Sequence, residues 1–346
     1  MRLDIGLIGA TAIAERAVVG PGSRYDDVRV RAVAASDPER AAAFAARHGI
    51  PRVHADYAAL LADPGVNTVY VSLHNSAHRP WVERAARAGL HVVVEKPLCL
   101  GPAELAGIRE AVAAGGARVV EAVPTAGHPW QGTVRAMVED GRYGRLRSVR
   151  TDIRFGVPAA GSYRERPELG GGIFRDCASY WLQAIQATVG LGSVTGRGTG
   201  RFDGPYGSDR AFEAHLGWED GREAVLHCEV GEGHQARHTF VFETAEVRLR
   251  NFLLPTMGAL PLNLVVQHAD GARQVLPFPP VAYYDSQLDR VRATLSGRHT
   301  DHDDHGGEGD GGGSGDGCEL ERAGARVELM ASIYQDAVRA SERQTR

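Results

Sequence analysis

The run Val92-Val93-Val94-Glu95-Lys96-Pro97-Leu98 decides how this chain folds. Its three valines are typical of a buried strand, because β-branched side chains pack well on a pleated surface. The strand ends at Lys96, and the proline that follows stiffens the backbone. A lysine at a strand end is usually a solvated charge. Here the apolar residues before Lys96 and the proline after it favour a fixed, partly desolvated amine at the edge of an α/β sheet.

Length and composition indicate an ordinary globular protein. The chain has 346 residues, which exceeds one compact core and predicts two domains. Its net charge of −4, without a basic cluster, argues against nucleic acid or an anionic membrane as partners. The first residues lack the pattern of a secretory signal, no apolar run has the length of a membrane span, and the four cysteines are far apart. These features predict a cytoplasmic protein with reduced thiols.

Strand-like and helical segments alternate in residues 1–122. The predicted strands are residues 3–8, 28–35, 68–71, 91–94 and 118–122. These runs are apolar on both faces, which is typical of a parallel sheet that helices cover on both sides. Residues 1–122 are therefore predicted to form a doubly wound α/β domain that binds NAD(P).

The pattern changes after residue 123. Helices are predicted near residues 133–139 and 173–189, and strand-like runs at 147–155, 211–218, 223–230, 238–243, 246–250, 262–268 and 272–276. Asp220-Gly221 and Asp270-Gly271 each separate two neighbouring runs, and Asp-Gly is a strong hairpin signal. Residues 123–346 are therefore predicted to form an α+β domain built on a mostly antiparallel sheet.

Residues 299–317 are rich in glycine, aspartate and histidine and are predicted to form a mobile loop. His299, His302 and His305 lie among aspartates, which is one pattern of a metal site. The alternative is a solvated polar insertion. We favour the insertion and predict no metal site, because a glycine-rich segment does not hold the geometry that a metal requires.

The segment Gly9-Ala10-Thr11-Ala12-Ile13-Ala14 joins the first strand to a helix. Dinucleotide-binding turns use one glycine for the tight bend, another for close approach to the pyrophosphate, and a small residue for packing. Thr11 stands where the second glycine is expected, so a plain strand-to-helix turn is the alternative. The position in the first strand–helix unit favours the cofactor, because a helix N-terminus attracts phosphate. The predicted contacts are Gly9, Thr11, Ala12 and Ile13.

The end of the second strand bears on the choice between NAD and NADP. An acid at this place would bind the ribose diol of NAD, whereas a hydroxyl with an arginine would suit the 2′-phosphate of NADP. Asp37 is the nearby acid, but its place before Pro38 makes it a better helix cap. Ser36 and Arg40 remain and favour NADP, with NAD left open.

The loop after the third strand is Leu73-His74-Asn75-Ser76-Ala77-His78. In a doubly wound sheet this loop lies at the carboxyl edge, where ligands bind. The alternative is a helix cap formed by Asn75 or Ser76, and both interpretations can hold together. The residues at this edge that are predicted to contact the cofactor are Leu73, His74, Asn75, His78, Glu95 and Lys96.

Gly170-Gly171-Gly172 precedes a predicted helix that carries Asp176 and Tyr180. These two residues are four apart, so they share one face of the helix. The three glycines would let the backbone approach a ligand closely. The alternative is an amphipathic core helix with an incidental tyrosine.

Taken together, these stretches resemble the Gfo/Idh/MocA family, named for glucose-fructose oxidoreductase, inositol dehydrogenase and MocA. The order and spacing of the motifs agree over about residues 3–190. The matching motifs are the Gly9 turn, Asn75-x-x-His78, the segment from Gly89 to Leu98, and the triple glycine that leads to Asp176 and position 180.

The resemblance implies a Rossmann domain followed by an α+β domain with an open sheet, through which members often form homo-oligomers. It implies that Lys96 is the catalytic lysine and Asp176 the conserved acid of the substrate helix. Many members carry histidine at the position of Tyr180. Tyrosine there is similar to the glucose-fructose oxidoreductase, dihydrodiol dehydrogenase and sugar-nucleotide 3-ketoreductase branches, and a phenol can act as a general acid.

One loop departs from the family pattern. Many relatives carry an aromatic residue and an arginine before the equivalent of His128-Pro129, whereas this chain has Thr125 and Ala126. This difference predicts a substrate pocket unlike that of the sugar-binding members.

The favoured function is an NAD(P)-dependent oxidoreductase that moves a hydride between nicotinamide and a carbonyl or alcohol carbon. The expected small-molecule substrate is a keto-sugar, a sugar nucleotide or a related polyol. Tyr180 would exchange the proton, Lys96 would polarise the oxygen and tune the tyrosine, and Asp176 would position the substrate or the lysine. The alternatives are a non-catalytic NAD(P)-binding sensor and an imine reductase.

Overall fold

A computed structural model of the chain describes residues 1–297 and 315–344. The chain forms two compact units, of which the first combines Met1–Pro124 with Tyr284–Val327 and the second combines Thr125–Tyr283 with Glu328–Arg346. The first unit thus includes the stretch Tyr284–Val327, which lies in sequence between the two parts of the second unit. The assignment of the cofactor to residues 1–122 and of the substrate to residues 123–346 stays a prediction.

The first unit contains a six-stranded parallel sheet with the order β3-β2-β1-β4-β5-β6. Its strands are β1 (Leu3–Ile8), β2 (Val28–Ala34), β3 (Arg52–Val53), β4 (Thr68–Val71), β5 (His91–Glu95) and β6 (Val119–Ala122). The predicted doubly wound Rossmann sheet is confirmed. The strand order reverses beside β1, so the carboxyl ends of β1 and β4 flank the place where such folds bind ligands.

The helices of the described residues alternate with the strands up to residue 122, as predicted, and further helices follow after it. They are α1 (Ala12–Ala14), α2 (Gly20–Gly22), α3 (Pro38–His48), α4 (Tyr57–Leu61), α5 (His78–Arg87), α6 (Pro102–Gly115), α7 (Pro129–Asp140), α8 (Ile173–Thr188), α9 (Tyr283–Leu295) and α10 (Gly315–Gln344). A π-helical segment, Glu15–Val19, joins α1 to α2. Short 3-10 segments lie at Asn75–Ala77, Tyr163–Glu165, Pro167–Leu169, Pro205–Gly207 and Leu254–Met257.

The second unit contains an eight-stranded sheet with the order β14-β13-β12-β11-β7-β10-β9-β8. Its strands are β7 (Leu146–Phe155), β8 (Val194–Arg201), β9 (Ala211–Trp218), β10 (Glu223–Val230), β11 (Gln235–Phe242), β12 (Ala245–Arg250), β13 (Leu260–His268) and β14 (Arg273–Val281). All neighbouring pairs are antiparallel except β10 with β7. The predicted α+β fold is confirmed, and the two Asp-Gly pairs connect β9 to β10 and β13 to β14.

Strand β8 was not predicted, because its sequence Val-Thr-Gly-Arg-Gly-Thr-Gly-Arg has three glycines, which disfavour strands. The structure shows what these glycines permit. A Cβ atom on Gly196 would lie 2.6 Å from Cγ1 of Ile333, and one on Gly198 would lie 2.7 Å from the carbonyl oxygen of the same residue. The alternating glycines therefore let α10 pack directly against this edge strand.

Among the described residues, helices cover one face of the eight-stranded sheet and leave the other face open. The covered face packs against α7 and α8 through large buried side chains that include Trp130, Phe174 and Trp181. The open face carries ion pairs that run across the strands, and its sheet edge exposes 47% of Val275. These ion pairs join Asp152 with Arg237 and Arg154 with Glu229. On the same face, Nδ1 of His227 lies 3.0 Å from Oε2 of Glu213.

The core of the first unit contains one buried ion pair. The Nη2 atom of Arg326, on α10, lies 2.5 Å from Oε2 of Glu121 at the end of β6. The other carboxylate oxygen of Glu121 accepts a hydrogen bond from the amide of Leu98 at 3.0 Å. This carboxylate therefore joins α10, the last strand and the loop after β5.

The glycine-, aspartate- and histidine-rich segment 299–317, predicted to be a loop, lies outside the described residues except for its last three positions, which begin α10. Among the residues that are described, no group of histidine, cysteine or acidic side chains is arranged to hold a metal ion. No helix within residues 1–297 or 315–344 has the length and hydropathy needed to cross a bilayer.

Candidate active site

Lys96 directly follows β5 and is partly exposed, whereas the two residues after it are buried. The carbonyl oxygen of Pro97 lies 2.8 Å from Nδ1 of His78, and the amide of Leu98 donates to Glu121. The peptide bond between Lys96 and Pro97 is cis. The backbone after the lysine is thus held at two consecutive residues by side chains from the interior of the first unit.

The composition of the whole chain gives Lys96 a further distinction. Of the 39 lysine and arginine residues, Lys96 is the one lysine. An arginine guanidinium remains protonated in proteins, whereas a lysine amine can release its proton and can present a compact charge. A chain that uses arginine everywhere else, but lysine here, favours a chemical role for Lys96 over that of a solvated charge. The motif-based prediction did not use this signal.

The side chain of Glu95 is engaged within the first unit. The hydroxyl of Tyr70, which is fully buried, donates a hydrogen bond to Oε1 of Glu95. Burial raises the pKa of Glu95, although Tyr70 and the charge of Lys96 oppose this shift. Burial and the nearby Glu95 carboxylate raise the pKa of Tyr70 well above its usual value. The predicted contact between Glu95 and the cofactor stays a prediction.

The turn after β1 bends tightly at Gly9 and leads directly into a capped helix. Gly9 has a φ of +110°, and a Cβ atom there would lie 2.8 Å from the carbonyl oxygen of Ser72. Thr11 has a φ of −121°, which any residue adopts, and its hydroxyl accepts from the amide of Ala14 at 3.1 Å. Thr11 therefore caps the helix at the position where the fingerprint has its second glycine. The amides of Ala12 and Ile13 open the first helical turn, where amides lack i−4 partners and can bind phosphate.

The structure brings together the two residues predicted to select NADP. The Nη2 atom of Arg40 donates to the hydroxyl of Ser36 at 3.1 Å, and both side chains are exposed. The carboxylate of Asp37 accepts from the amides of Glu39 and Arg40, so Asp37 is the helix cap that its place before proline predicts. A hydroxyl beside a guanidinium would suit a 2′-phosphate, and the predicted contact of Ser36 and Arg40 with the cofactor stays a prediction.

The loop after β4 is partly buried. Asn75 is buried at the start of its 3-10 segment, and Nδ1 of His74 lies 3.1 Å from the hydroxyl of Ser76. Burial lowers the pKa of His74. His78 is completely buried, and its two ring nitrogens face the carbonyl oxygens of Pro97 and Leu73. The ring is thus enclosed by the protein, and the predicted direct contact between His78 and the cofactor stays a prediction.

In the second unit, α8 carries Asp176 and Tyr180 on one face. The guanidinium of Arg164 donates to Oδ2 of Asp176 at 2.9 Å. Asp176 is the main cause of the raised pKa of Arg164, and Tyr180 contributes in the same direction. Arg164 therefore acts electrostatically on both residues of the predicted substrate helix. Arg164 is not among the predicted site residues, although it lies shortly before the triple glycine in sequence.

The triple glycine makes room for protein atoms. A Cβ atom on Gly171 would lie 2.3 Å from the carbonyl oxygen of Tyr163. Gly172 has a φ of +110°, and a Cβ atom on it would lie 1.9 Å from Oδ1 of Asp209. The prediction that these glycines admit a ligand was wrong in its reason, because the chain itself fills the space beside Gly171 and Gly172.

Asp209 fixes the beginning of α8. Its Oδ2 accepts from the amide of Phe174 at 2.8 Å, and its carbonyl oxygen accepts from the amide of Ile173 at 3.0 Å. The residue is only 1% exposed, and burial raises the pKa of its carboxyl to about 6. Asp209 thus sets the register of the helix that presents Asp176 and Tyr180. It lies far from the helix in sequence, and no local pattern marks it.

The loop that departs from the family pattern belongs to a buried amide network. Nε2 of Gln131 donates to the carbonyl oxygen of Thr125 at 3.1 Å and to Oε1 of Gln183, on α8, at 2.9 Å. The ring of His128 accepts from the amide of Trp130 at 3.2 Å, and burial lowers the pKa of His128 to about 4. Thr125 therefore helps to fix α8. The predicted difference in the substrate pocket stays a prediction.

The sequence matches two family models. One, GFO_IDH_MocA, is described as an oxidoreductase family with an NAD-binding Rossmann fold and matches residues 3–122. The other is the GFO/IDH/MocA C-terminal domain and matches residues 132–248.

Known relatives are oxidoreductases. An uncharacterized oxidoreductase from Rhizobium meliloti is 33% identical over 298 residues, which are 84% of this chain and 88% of the relative. A dTDP-3,4-didehydro-2,6-dideoxy-alpha-D-glucose 3-reductase from Streptomyces antibioticus is 37% identical over 192 residues, 55% of this chain and 57% of the relative. A 3-ketoreductase from Actinomadura kijaniata, solved with NADP and TDP-benzene, has a similar fold with a TM-score of 0.85 at 22% identity, over 97% of this chain and 98% of that one.

The buried carboxyl of Asp209 predicts a pH-dependent stability. Its pKa of about 6 in the folded chain, against a usual value of 3.8, means that the folded state holds this proton more tightly. The contribution of Asp209 to stability is therefore full below pH 4 and is lost as the pH rises through 6, by about 3 kcal/mol. Asp209→Asn removes this titration. The free energy of unfolding of the variant should therefore increase relative to that of the wild type as the pH rises.

Urea denaturation at several pH values between 4 and 7.5 measures this difference. Asp203→Asn, which alters an exposed carboxyl in the same unit, is the matched control and should show no such trend. A constant difference between Asp209→Asn and the wild type across this pH range would contradict the prediction.

Proposed function

The chain belongs to the GFO/IDH/MocA oxidoreductase family, and we propose that it transfers a hydride between NADP(H) and the carbonyl or alcohol carbon of a sugar nucleotide or a related sugar. One observation carries this proposal most strongly. The single lysine of the chain stands at the end of β5, with the backbone after it fixed by two buried hydrogen bonds. A charge whose place is fixed before the reaction stabilises developing charge on an oxygen without reorganisation.

The residues of the first unit fit a bound NADP. The turn at Gly9, capped by Thr11, would receive the pyrophosphate on the amides of Ala12 and Ile13. Ser36 and Arg40 would receive the 2′-phosphate, where a guanidinium can form charge-assisted hydrogen bonds. When bound, the nicotinamide supplies or accepts the hydride.

We assign the proton chemistry to three residues. Lys96 would donate a hydrogen bond to the substrate oxygen and stabilise negative charge that develops there. Tyr180 would give its phenolic proton to that oxygen in the reductive direction and take it back in the oxidative direction. Asp176 would orient the substrate, and its partner Arg164 would favour the ionised form of Tyr180 through its positive charge.

The substrate class is proposed from the relatives. The reductase from Streptomyces antibioticus is named for a dTDP-linked keto-sugar, and its similarity covers 55% of this chain. Tyrosine at position 180 agrees with this assignment, because a ketone that becomes an alkoxide needs a proton donor.

We propose that the chain assembles into a homo-oligomer through the open face of the eight-stranded sheet. The cross-strand ion pairs on that face and the exposed Val275 support this assignment. Sedimentation equilibrium at micromolar concentrations tests it, and the mass of a monomer would contradict it.

We place the protein in the cytoplasm, with a small molecule as its substrate and neither nucleic acid nor a membrane as a partner. The net charge of −4 fits this assignment. Cys99, Cys177 and Cys228 are buried and form no disulfide with one another, which is typical of a reducing compartment.

Lys96→Ala should lower kcat by about 100-fold or more with a keto-sugar nucleotide, because it removes a preorganised positive charge from the substrate oxygen. The Kd of NADP should change by less than about threefold, since the pyrophosphate and 2′-phosphate contacts remain. Lys96→Arg should not restore turnover, because a guanidinium is bulkier and does not release its proton. Steady-state kinetics and fluorescence titration with NADPH measure these quantities, and near-normal turnover of either variant would refute the assignment.

Arg40→Ala should weaken NADP binding by about 10- to 100-fold, as expected for the loss of charge-assisted hydrogen bonds worth about 1.5–3 kcal/mol. NAD binding should change by less than about twofold, because NAD carries no 2′-phosphate. Arg47→Ala is the matched control, because it removes the same charge from the same helix further from the strand end. Equal losses for both cofactors, or equal effects of both variants, would rule out the proposed role of Arg40.

A further inference from the structure

We propose that His78 is a positioning residue that fixes Lys96 by holding the carbonyl group of Pro97. The proposal rests on the proposed function for the importance of Lys96. It goes beyond that function because it gives a task to a fully buried side chain, whose two ring nitrogens lie against backbone carbonyl oxygens of the protein itself.

The surroundings of His78 leave its ring little freedom. The residue is completely buried at the start of α5. Nδ1 lies 2.8 Å from the carbonyl oxygen of Pro97, and Nε2 lies 3.1 Å from the carbonyl oxygen of Leu73. The imidazole therefore bridges the loops that follow β4 and β5 at the carboxyl edge of the sheet.

The protonation state of the His78 ring determines how many of its two contacts are hydrogen bonds. Burial lowers the pKa of His78, although the two carbonyl groups oppose this shift, so the neutral ring is favoured. A neutral imidazole carries one N–H group and can donate to only one of the two carbonyl oxygens. The shorter distance places that hydrogen on Nδ1, which then donates to Pro97. The carbonyl group of Leu73 then contacts the other side of the ring without accepting a hydrogen from it.

The consequence for Lys96 follows from covalent geometry. Pro97 directly follows Lys96, and the next amide, that of Leu98, donates to the buried carboxylate of Glu121. His78 thus holds Pro97 through its carbonyl group, and Glu121 holds the next residue, Leu98, through its amide. A displacement of about 1 Å at a catalytic group can cost about 100-fold in rate, so the loss of one of these holds should be visible at the lysine.

Two substitutions by amide side chains distinguish a hydrogen bond to Pro97 from a role in which His78 only fills space. In His78→Asn the side-chain nitrogen takes the place of Nδ1 and can still donate to Pro97. In His78→Gln the nitrogen takes the place of Nε2 and can reach only Leu73. The two variants carry the same chemical group, displaced by one methylene, so each serves as the matched control of the other.

The composition of the chain supplies a direct readout. Protein labelled with [13Cε]lysine gives a single lysine side-chain resonance, because Lys96 is the one lysine. We expect this resonance to keep its wild-type position in His78→Asn, and to move or split in His78→Gln. A signal that is identical in both variants and the wild type would overturn the proposal, and so would a signal displaced equally in both.

Kinetics give the second readout. His78→Asn should retain kcat with a keto-sugar nucleotide within about threefold, and His78→Gln should lose about tenfold or more, while the Kd of NADP changes by less than about threefold in each. A role in stability alone would lower the melting temperature without this split between the variants. An equal loss of kcat in the two variants would overturn the proposal.

A third test uses the wild-type protein and therefore does not depend on whether a variant folds. In protein labelled with [15N]histidine, the His78 signal should show a protonated Nδ1 and an unprotonated Nε2, and the reverse tautomer would overturn the proposal. The two NMR readouts do not depend on turnover. If the wild type reduces no sugar substrate, the proposed function fails, whereas the positioning of Lys96 by His78 is still decided.

Discussion

The buried carboxylate of Glu121 is the constraint on which the candidate site in the first unit depends. A buried charge is tolerated only when it is paired and hydrogen-bonded, and removing one partner typically costs about 3–5 kcal/mol. Glu121 meets this requirement with Arg326 of α10 on one oxygen and the Leu98 amide on the other. Together with the ring of His78 against Pro97, it fixes the segment that follows Lys96. The position of the lysine is therefore set by the interior of the unit.

The parallel sheet could be predicted from the sequence because apolar runs alternate with well-capped helices. Asp37 before Pro38 is an example, since its carboxylate caps α3 through local hydrogen bonds. Strand β8 could not be predicted, because its glycines act by admitting Ile333, which is distant in sequence. The place of Leu288 and Leu320 in the core of the first unit could not be predicted either, because both follow the strands of the second unit in sequence and are buried by residues distant in sequence.

In the candidate site, too, residues in local sequence patterns could be predicted, whereas residues that act through long-range contacts could not. Lys96 at a strand end, the Gly9 turn, and Ser36 beside Arg40 depend on local patterns that the sequence displays. Arg164 and Asp209 act on α8 from loops before and after it, through contacts that only the folded chain reveals. The triple glycine marks the start of α8 in the sequence, but the atoms that lie beside Gly171 and Gly172 belong to loops that only the folded chain brings there.

The proposed function requires direct hydride transfer between nicotinamide and a sugar carbon, and isotope transfer measures this step. The protein would be incubated with a dTDP-linked 3-keto-sugar and NADPH that carries deuterium on one or the other face of C4, and the product would be analysed by mass spectrometry and proton NMR. We expect one deuterium on the new carbinol carbon with one of the two labelled cofactors. An unlabelled product with both cofactors, or no product while the NADPH remains intact, would contradict it.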